Sequence, residues 1–319
     1  KAVKYGVTGR YVTGLEVVTP QGEIVQLGGK RIKDVTGYDL VSLMVGSEGT
    51  LGIFTRITLK LMAKPEAAVD LLCLFNSPDE AIRAVPKIMT EGGRVPAAIE
   101  FMERTAVRAA CEYLNESLPY EDCGAMLLIS VDGQSAEEVE RDYDVIGEQA
   151  LQAGSTEVFV GDNRTTSERV WRVRQNIGEA LTLVSRHQGN EDLVVPLAAI
   201  PQFVAGLQTL AEEYDLMMPC FGHAADGNMH VRIVMDPEWP IERWERTLPE
   251  VQEKLYRLTV SLGGTLSGEH GIGHKRKKHM PIFCSPGHME MMRAIKRALD
   301  PNNILNPGKI FDLDSADPD

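Results

Sequence analysis

Apolar and polar residues alternate with two different periods along the chain, and the change of period separates its parts. Residues 1–64 carry short alternating stretches broken by turn residues, which predicts strands at 11–19, 23–26 and 54–61. Pro65 then interrupts this pattern, and the composition shifts after it. We therefore expect a domain boundary at that point.

Beyond the boundary, strand and helix periods alternate. Apolar runs predict strands at 67–75, 95–101, 125–131, 157–160 and 193–196. Helical spacing predicts helices at 79–90, 105–114, 135–153, 165–184, 197–214, 239–262 and 288–299. Ser77 or Asp79 should cap the first helix, and Ser135 with Glu138 should form a capping box. This order predicts an α+β domain with helices on one face of a mostly antiparallel sheet.

Composition narrows the class of protein. The 319 residues are 43% hydrophobic and 25% charged, as in a globular protein of two domains. The net charge of −13 argues against a nucleic-acid partner, whose phosphates would be repelled. Five cysteines without C-x-x-C spacing fit neither a disulfide framework nor an iron–sulfur site, and favour the reducing cytoplasm. No segment reaches the roughly 18 apolar residues of a transmembrane helix.

His223 and His230 flank the turn sequence Asp226-Gly227-Asn228, with apolar residues on both sides. This pattern predicts two short strands joined by a tight turn, which would bring both imidazoles onto neighbouring strands. Two imidazoles and a carboxylate form a common metal site with an open position. Glu269 would be the third ligand, and His270 could accept a proton near a metal-polarised oxygen. The alternative is that these histidines are only polar surface residues.

Glycine is concentrated in Gly46-Ser47-Glu48-Gly49-Thr50-Leu51-Gly52-Ile53. Such a loop presents backbone N–H groups to an anion such as a pyrophosphate. Its spacing matches neither the P-loop nor the dinucleotide-binding fingerprint. A plain glycine-rich turn between strands is therefore the alternative.

Charged residues mark two further positions. Arg174 lies early in a predicted helix, where an inward arginine could hold a carboxylate with two hydrogen bonds. The alternative is an arginine on a solvated helix face. Glu191 and Asp192 come directly before an apolar run and are expected to form a loop or capping pair.

Several of these segments resemble a known family. Residues 4–10, 15–18, 36–40 and 46–53 resemble the second half of the FAD-binding domain of flavoproteins of the vanillyl-alcohol-oxidase and p-cresol methylhydroxylase (PCMH) type. Residues 223–230, 267–271 and 306–309 resemble the cap and C-terminal signatures of its D-2-hydroxyacid dehydrogenase branch, which includes glycolate oxidases and D-lactate dehydrogenases.

The resemblance implies three domain segments and a set of site residues. Residues 1–64 would be the second half of the FAD domain, 65–274 the cap with the metal site, and 275–319 a segment returning to the FAD domain. The implied metal ligands are His223, His230 and Glu269, for Zn²⁺, Mn²⁺ or Fe²⁺, with His270 as catalytic base and Arg174 on the substrate carboxylate. The implied FAD contacts are Gly46, Ser47, Glu48, Gly49, Thr50, Gly52, Ile53 and Asn306.

Proteins of this type carry a first half of the FAD domain ahead of the part that matches here. The chain is therefore expected to be a fragment, which could keep the cap and the metal hairpin while lacking FAD.

The implied reaction is flavin-dependent oxidation of a D-2-hydroxy acid, of the glycolate or D-lactate class, to the 2-oxo acid. Electrons would pass to a partner subunit, an iron–sulfur protein or an electron-transfer flavoprotein. The expected location is the cytoplasm, with peripheral attachment to the inner membrane through that partner. Two alternatives stay open: a metal-dependent hydrolase that uses the same His/His/Glu set, and a non-catalytic interaction module.

Overall fold

The computed structural model describes residues 1–161 and 163–313, and its elements follow the predicted order closely. The strands are β1 Val12–Val18, β2 Ile24–Gly28, β3 Ile53–Leu59, β4 Ala67–Phe75, β5 Ala98–Glu103, β6 Ala125–Gly133, β7 Glu157–Gly161, β8 Gln188–Val194, β9 Cys220–His223 and β10 Asn228–Val234. The helices are α1 Ala2–Tyr5, α2 Leu40–Met44, α3 Pro78–Thr90, α4 Arg104–Leu114, α5 Ala136–Gln152, α6 Arg164–Val184, α7 Ile200–Tyr214, α8 Ile241–Ser261, α9 Met280–Phe283 and α10 Pro286–Leu299.

The first of two units comprises residues 1–5 and 64–268. Its sheet has seven strands in the order β7-β4-β6-β5-β9-β10-β8, and every neighbouring pair is antiparallel. Side chains from alternate positions of β4, β5 and β6 form a core with α4 and α6 on one face. On the opposite face, Leu71 of β4 faces α5, and Gln252 and Tyr256 of α8 hydrogen-bond to Glu191 of β8.

The α+β class and the antiparallel sheet are confirmed, but the prediction of helices on one face was too narrow. The inner strand β6 is buried at every position. A strand whose side chains are apolar on both faces of the sheet must be buried on both faces, so helices pack against each face.

The second unit comprises residues 6–63 and the segment from 269 onward. Its sheet has three antiparallel strands in the order β2-β1-β3. Leu15 and Val17 of β1 form its core with Met44, Leu51 and, from the other segment, Ile295 and Leu299 of α10. Residues 314–319, the end of the predicted C-terminal segment, lie outside the described residues. The assignment of flavin and cap domains stays a prediction.

Local sequence signals account for the helix starts. Ser77 Oγ accepts from the Glu80 amide of α3 at 3.2 Å, and Ser135 Oγ accepts from the Glu138 amide of α5 at 3.2 Å, as predicted. The Glu138 carboxylate accepts the Gln134 amide at 2.7 Å. None of the described helices is long and apolar enough to cross a membrane.

Candidate metal and flavin sites

The two histidines lie on a β-hairpin, as the turn sequence predicts. Asn228 of β10 pairs with His223 of β9, and His230 pairs with Phe221. The imidazole centroids of His223 and His230 are 5.4 Å apart. Gly227 takes a φ of +83° in the turn, and a Cβ there would lie 2.2 Å from the Val195 carbonyl oxygen. Only glycine fits that position.

A buried carboxylate supports the first histidine. Glu100 of β5 pairs with His223 in register, and its Oε1 lies 2.7 Å from His223 Nδ1. Arg174 of α6 binds the other oxygen of Glu100 through Nε at 2.9 Å and Nη2 at 2.6 Å. Glu100 and Arg174 are 2% and 8% exposed. Such a carboxylate fixes the ring orientation and tautomer of a metal-binding histidine.

The ionisation of this group of side chains follows from the same contacts. The hydrogen bond to Glu100 raises the pKa of His223, although burial opposes it. Burial alone would raise the pKa of Glu100, but the hydrogen bond with His223 and the charge of Arg174 outweigh it and hold that pKa below its ordinary value. The carboxylate is therefore charged at neutral pH.

Helix α6 presents one face to this part of the sheet. Trp171 Nε1 donates to Asp70 of β4 at 3.0 Å, and Arg174, three residues on, reaches Glu100 of β5. Gly178, four residues further, lies against the guanidinium of Arg232 on β10, where a Cβ would be 2.6 Å from Nη2. The spacing places all three positions on one side of the helix.

The expectation of a loop or capping pair at Glu191 and Asp192 was wrong. Both lie in strand β8 with 0% exposure, and they point to opposite faces of the sheet. Asp192 accepts hydrogen bonds from Asn228 Nδ2 at 2.7 Å, Ser267 Oγ at 2.9 Å and the Gly268 amide at 3.0 Å. Its Oδ1 lies 3.8 Å from His230 Nδ1, so this carboxylate belongs to the surroundings of the hairpin.

Two predicted residues lie in the second unit. Glu269 is the first residue of the second chain segment of this unit and directly follows Gly268. His270 Nε2 lies 3.9 Å from Glu269 Oε1, and both side chains are partly exposed to solvent.

The glycine-rich loop also lies in the second unit and is held by four hydrogen bonds. Glu48 has a backbone φ of +52°, and its carboxylate accepts hydrogen bonds from the amides of Ile272 and Gly273, each at 2.7 Å. Asn306 Nδ2 donates to the Glu48 carbonyl at 2.8 Å. Lys296 Nζ donates to the Thr50 carbonyl at 2.8 Å. The structure therefore joins Asn306 to the loop and adds Lys296, which the sequence analysis missed.

Both sites suit the groups that the resemblance implies. In the loop, Ser47 Oγ is buried and has no hydrogen-bond partner among the described residues. Apart from the two neighbouring residues of the chain, no described heavy atom lies within 4 Å of a Cβ placed at Gly46. This leaves a hydroxyl and an open backbone for an oxyanion. At the hairpin, two neighbouring imidazoles with a carboxylate behind one of them match the donor set of a divalent transition metal.

Comparison with known proteins agrees with this description. Residues 64–310 match the family described as FAD linked oxidases, C-terminal domain. A D-lactate dehydrogenase of Anaerostipes hadrus is 36% identical over 97% of this chain and 66% of its own length, and the glycolate oxidase subunit GlcD of Bacillus subtilis is 37% identical over 99% and 66%. The chain thus spans just under two thirds of the length of these relatives.

A solved structure supports the fold independently. The crystal structure of p-cresol methylhydroxylase with substrate bound has a TM-score of 0.73 at 16% identity, and the match covers 96% of this chain and 66% of that protein. At that identity the similarity shows the fold alone. Together with the family match, it confirms the PCMH-type resemblance: the chain belongs to the FAD-linked oxidases and contains their C-terminal domain.

Proposed function

We propose that the complete protein is a flavin-dependent dehydrogenase that oxidises a D-2-hydroxy acid of the glycolate or D-lactate class to the 2-oxo acid. The observation that carries this proposal is the hairpin that holds His223 and His230 side by side, with the buried Glu100–Arg174 pair behind His223. Relatives named D-lactate dehydrogenase and glycolate oxidase subunit GlcD support the substrate class.

Two groups of residues would hold the metal ion and the flavin. His223, His230 and Glu269 would hold a divalent ion, Zn²⁺, Mn²⁺ or Fe²⁺, which supplies a Lewis acid that lowers the pKa of the substrate hydroxyl. The loop from Gly46 to Ile53, with Asn306, would hold FAD, which supplies the hydride acceptor.

Protein groups then handle the substrate's proton and carboxylate. His270 accepts the hydroxyl proton on an imidazole nitrogen. Arg174 is the arginine expected at the substrate carboxylate. Its Nε and Nη2 atoms also bind the carboxylate of Glu100 and so keep Glu100 in place beside His223. An iron–sulfur protein or an electron-transfer flavoprotein would receive the electrons, in the cytoplasm or at the inner membrane through that partner.

The first test is the metal and flavin content of this chain beside a version extended to the full length of its relatives. We expect about one metal ion in both and flavin absorbance in the extended form, bleached by D-lactate or glycolate. His223→Ala and His230→Ala should lose the metal, whereas the exposed His288→Ala should keep it. Absence of metal from both forms would remove the basis of the proposed mechanism.

The catalytic base is tested in the extended, flavin-loaded protein. His270→Ala should nearly abolish flavin reduction by the substrate while flavin and metal content stay at the wild-type level, because only the proton acceptor is lost. Reduction at a rate near that of the wild type would rule out this role for His270.

A further inference from the structure

Arg232 carries a charge near the histidine hairpin that the mechanism above does not use. It lies on β10 two residues after His230, and alternate residues of a strand share a face about 6.6 Å apart. Its Nε is buried without a hydrogen-bond partner among the described residues. The carboxylates of Glu191 and Glu179 act on its charge without forming an ion pair with it. An arginine stays protonated in proteins, so its guanidinium keeps a full positive charge here, with one donor unsatisfied among the described residues.

The fold makes room for this guanidinium. Gly178 of α6 lies beneath it, and a Cβ there would come within 2.6 Å of Nη2. Any other residue at position 178 would occupy the space that the guanidinium fills.

The other arginine near the hairpin differs in one respect. The charge of Arg174 faces the Glu100 carboxylate at 2.6 Å, whereas no described carboxylate lies within ion-pair distance of Arg232. Binding an anion at Arg174 would have to compete with Glu100, and Glu100 also binds His223. Arg232 therefore offers the positive charge that an incoming carboxylate can use at lower cost.

We propose that Arg232 binds the carboxylate of the 2-hydroxy acid beside Arg174, whose Nε and Nη2 atoms also position Glu100 and His223. This inference rests on the proposed function. The hydroxyl and carboxylate of such a substrate sit on adjacent carbons. A hydroxyl held at the hairpin histidines therefore places the carboxylate within reach of a long side chain two residues further along β10.

The test uses the extended, flavin-loaded protein. Arg232→Gln should raise the KM for D-lactate or glycolate, and the Kd for the product analogue pyruvate, by about 10- to 100-fold. The Kd for the uncharged pyruvamide should change less than about threefold, because only the charge pairing is lost. Flavin and metal content should stay unchanged. Arg257→Gln, an exposed arginine of α8, is the matched control and should behave as wild type.

Two variants keep the charge and so separate binding from folding. Arg232→Lys should recover part of the lost pyruvate affinity. Gly178→Ala should displace the guanidinium and weaken pyruvate binding without lowering the melting temperature, since alanine favours the helix. If Arg232→Gln does not fold, these two variants decide the question.

The outcomes separate the role of Arg232 from the proposed dehydrogenase function. If the wild type is reduced by D-lactate or glycolate, but Arg232→Gln keeps its KM and pyruvate Kd within twofold, Arg232 does not bind the substrate carboxylate. If no 2-hydroxy acid reduces the wild-type flavin, the proposed function fails and this inference fails with it.

Discussion

At the residue scale, the carboxylate of Glu100 joins a histidine of β9 to an arginine of α6. Both of its oxygens are used, one by His223 and one by Arg174, in a buried position. Removing one member of a buried ion pair leaves the other charged without compensation, which costs more than the pair itself contributes. The arrangement therefore makes the position of His223 depend on a residue of the neighbouring strand.

Glu100→Gln should lower the free energy of unfolding by about 3 kcal/mol, because Arg174 stays buried and charged. Metal affinity should fall by about 10- to 100-fold as His223 loses its orienting carboxylate. Urea unfolding and metal titration measure the two effects. The double variant Glu100→Gln, Arg174→Met should be less destabilised than the sum of the single variants. Strict additivity would show that the two side chains do not act as a pair.

A second carboxyl near the hairpin should make stability depend on pH. Burial raises the pKa of Glu103 to about 7, against the Cys220 amide that donates to its Oε2 at 3.0 Å. Between about pH 4.5 and 7 the unfolded chain releases this proton while the folded chain retains it. The contribution is thus fully present below pH 4.5 and is lost as the pH rises through 7.

Glu103→Gln should therefore flatten the loss of stability between pH 5 and pH 8, and should be the more stable protein at pH 8. Urea unfolding at the two pH values measures this. The exposed Glu121→Gln serves as the control and should leave the pH dependence unchanged. An identical pH dependence in Glu103→Gln and the wild type would contradict the assignment.

The sequence revealed single residues when their local signal was strong. Ser77 and Ser135 were predictable because a cap depends on neighbours three residues away. Glu100, Asp192 and Arg232 were not, since their partners lie on other strands and helices. Two adjacent acids before an apolar run look like a solvated loop, and only the pairing of β8 with β10 shows that each is buried on its own face.

At the element scale, helix α10 anchors the glycine-rich loop of the second unit. Lys296 is 3% exposed, and its Nζ donates to the carbonyls of Thr50 and Leu305 and to the carboxylate of Asp300, which is fully buried. One side chain thus joins the helix, the loop and the segment that contains Asn306. Loop geometry here depends on a lysine that sequence spacing gives no reason to single out.

Lys296→Met should destabilise the protein by about 3 kcal/mol, since Asp300 would be left buried without its cation. In the extended protein the substitution should also weaken flavin retention, because the loop loses the hydrogen bond to its Thr50 carbonyl. Thermal unfolding and flavin absorbance after dialysis measure these effects. Lys278→Met, on an exposed lysine of the same unit, should change neither. Wild-type flavin retention in Lys296→Met would mean that the loop is held by its other contacts alone.

Element prediction succeeded where periodicity was long and failed where it was short. Helix α6 begins and ends within a residue of its predicted bounds, because its apolar face repeats over many turns. Strand β8 was placed at 193–196 but spans Gln188–Val194. Its polar residues are satisfied by partners distant in sequence, so its pattern does not look like a buried strand.

At the scale of the whole molecule, the net charge sets a requirement for the proposed substrate site. The chain carries a formal charge of −13, so its average field repels a small anionic substrate. Local positive charge must therefore compensate wherever a carboxylate binds. Arg232, packed against Gly178, and Arg174, paired with the buried Glu100, provide that charge locally rather than over the whole surface.

The division of the second unit between two chain segments bears on how the protein is made. All three strands of its sheet are complete once Leu59 has been added to the chain. The helix that contributes Ile295 and Leu299 to the same core is made only after residues 64–268. At about 5–20 residues per second, a ribosome needs on the order of 10 to 40 s to cross that interval. Throughout it, the apolar face around Leu15 and Val17 lacks its covering helix. The nascent chain should then depend on chaperones, and a truncated transcript should yield an aggregating product.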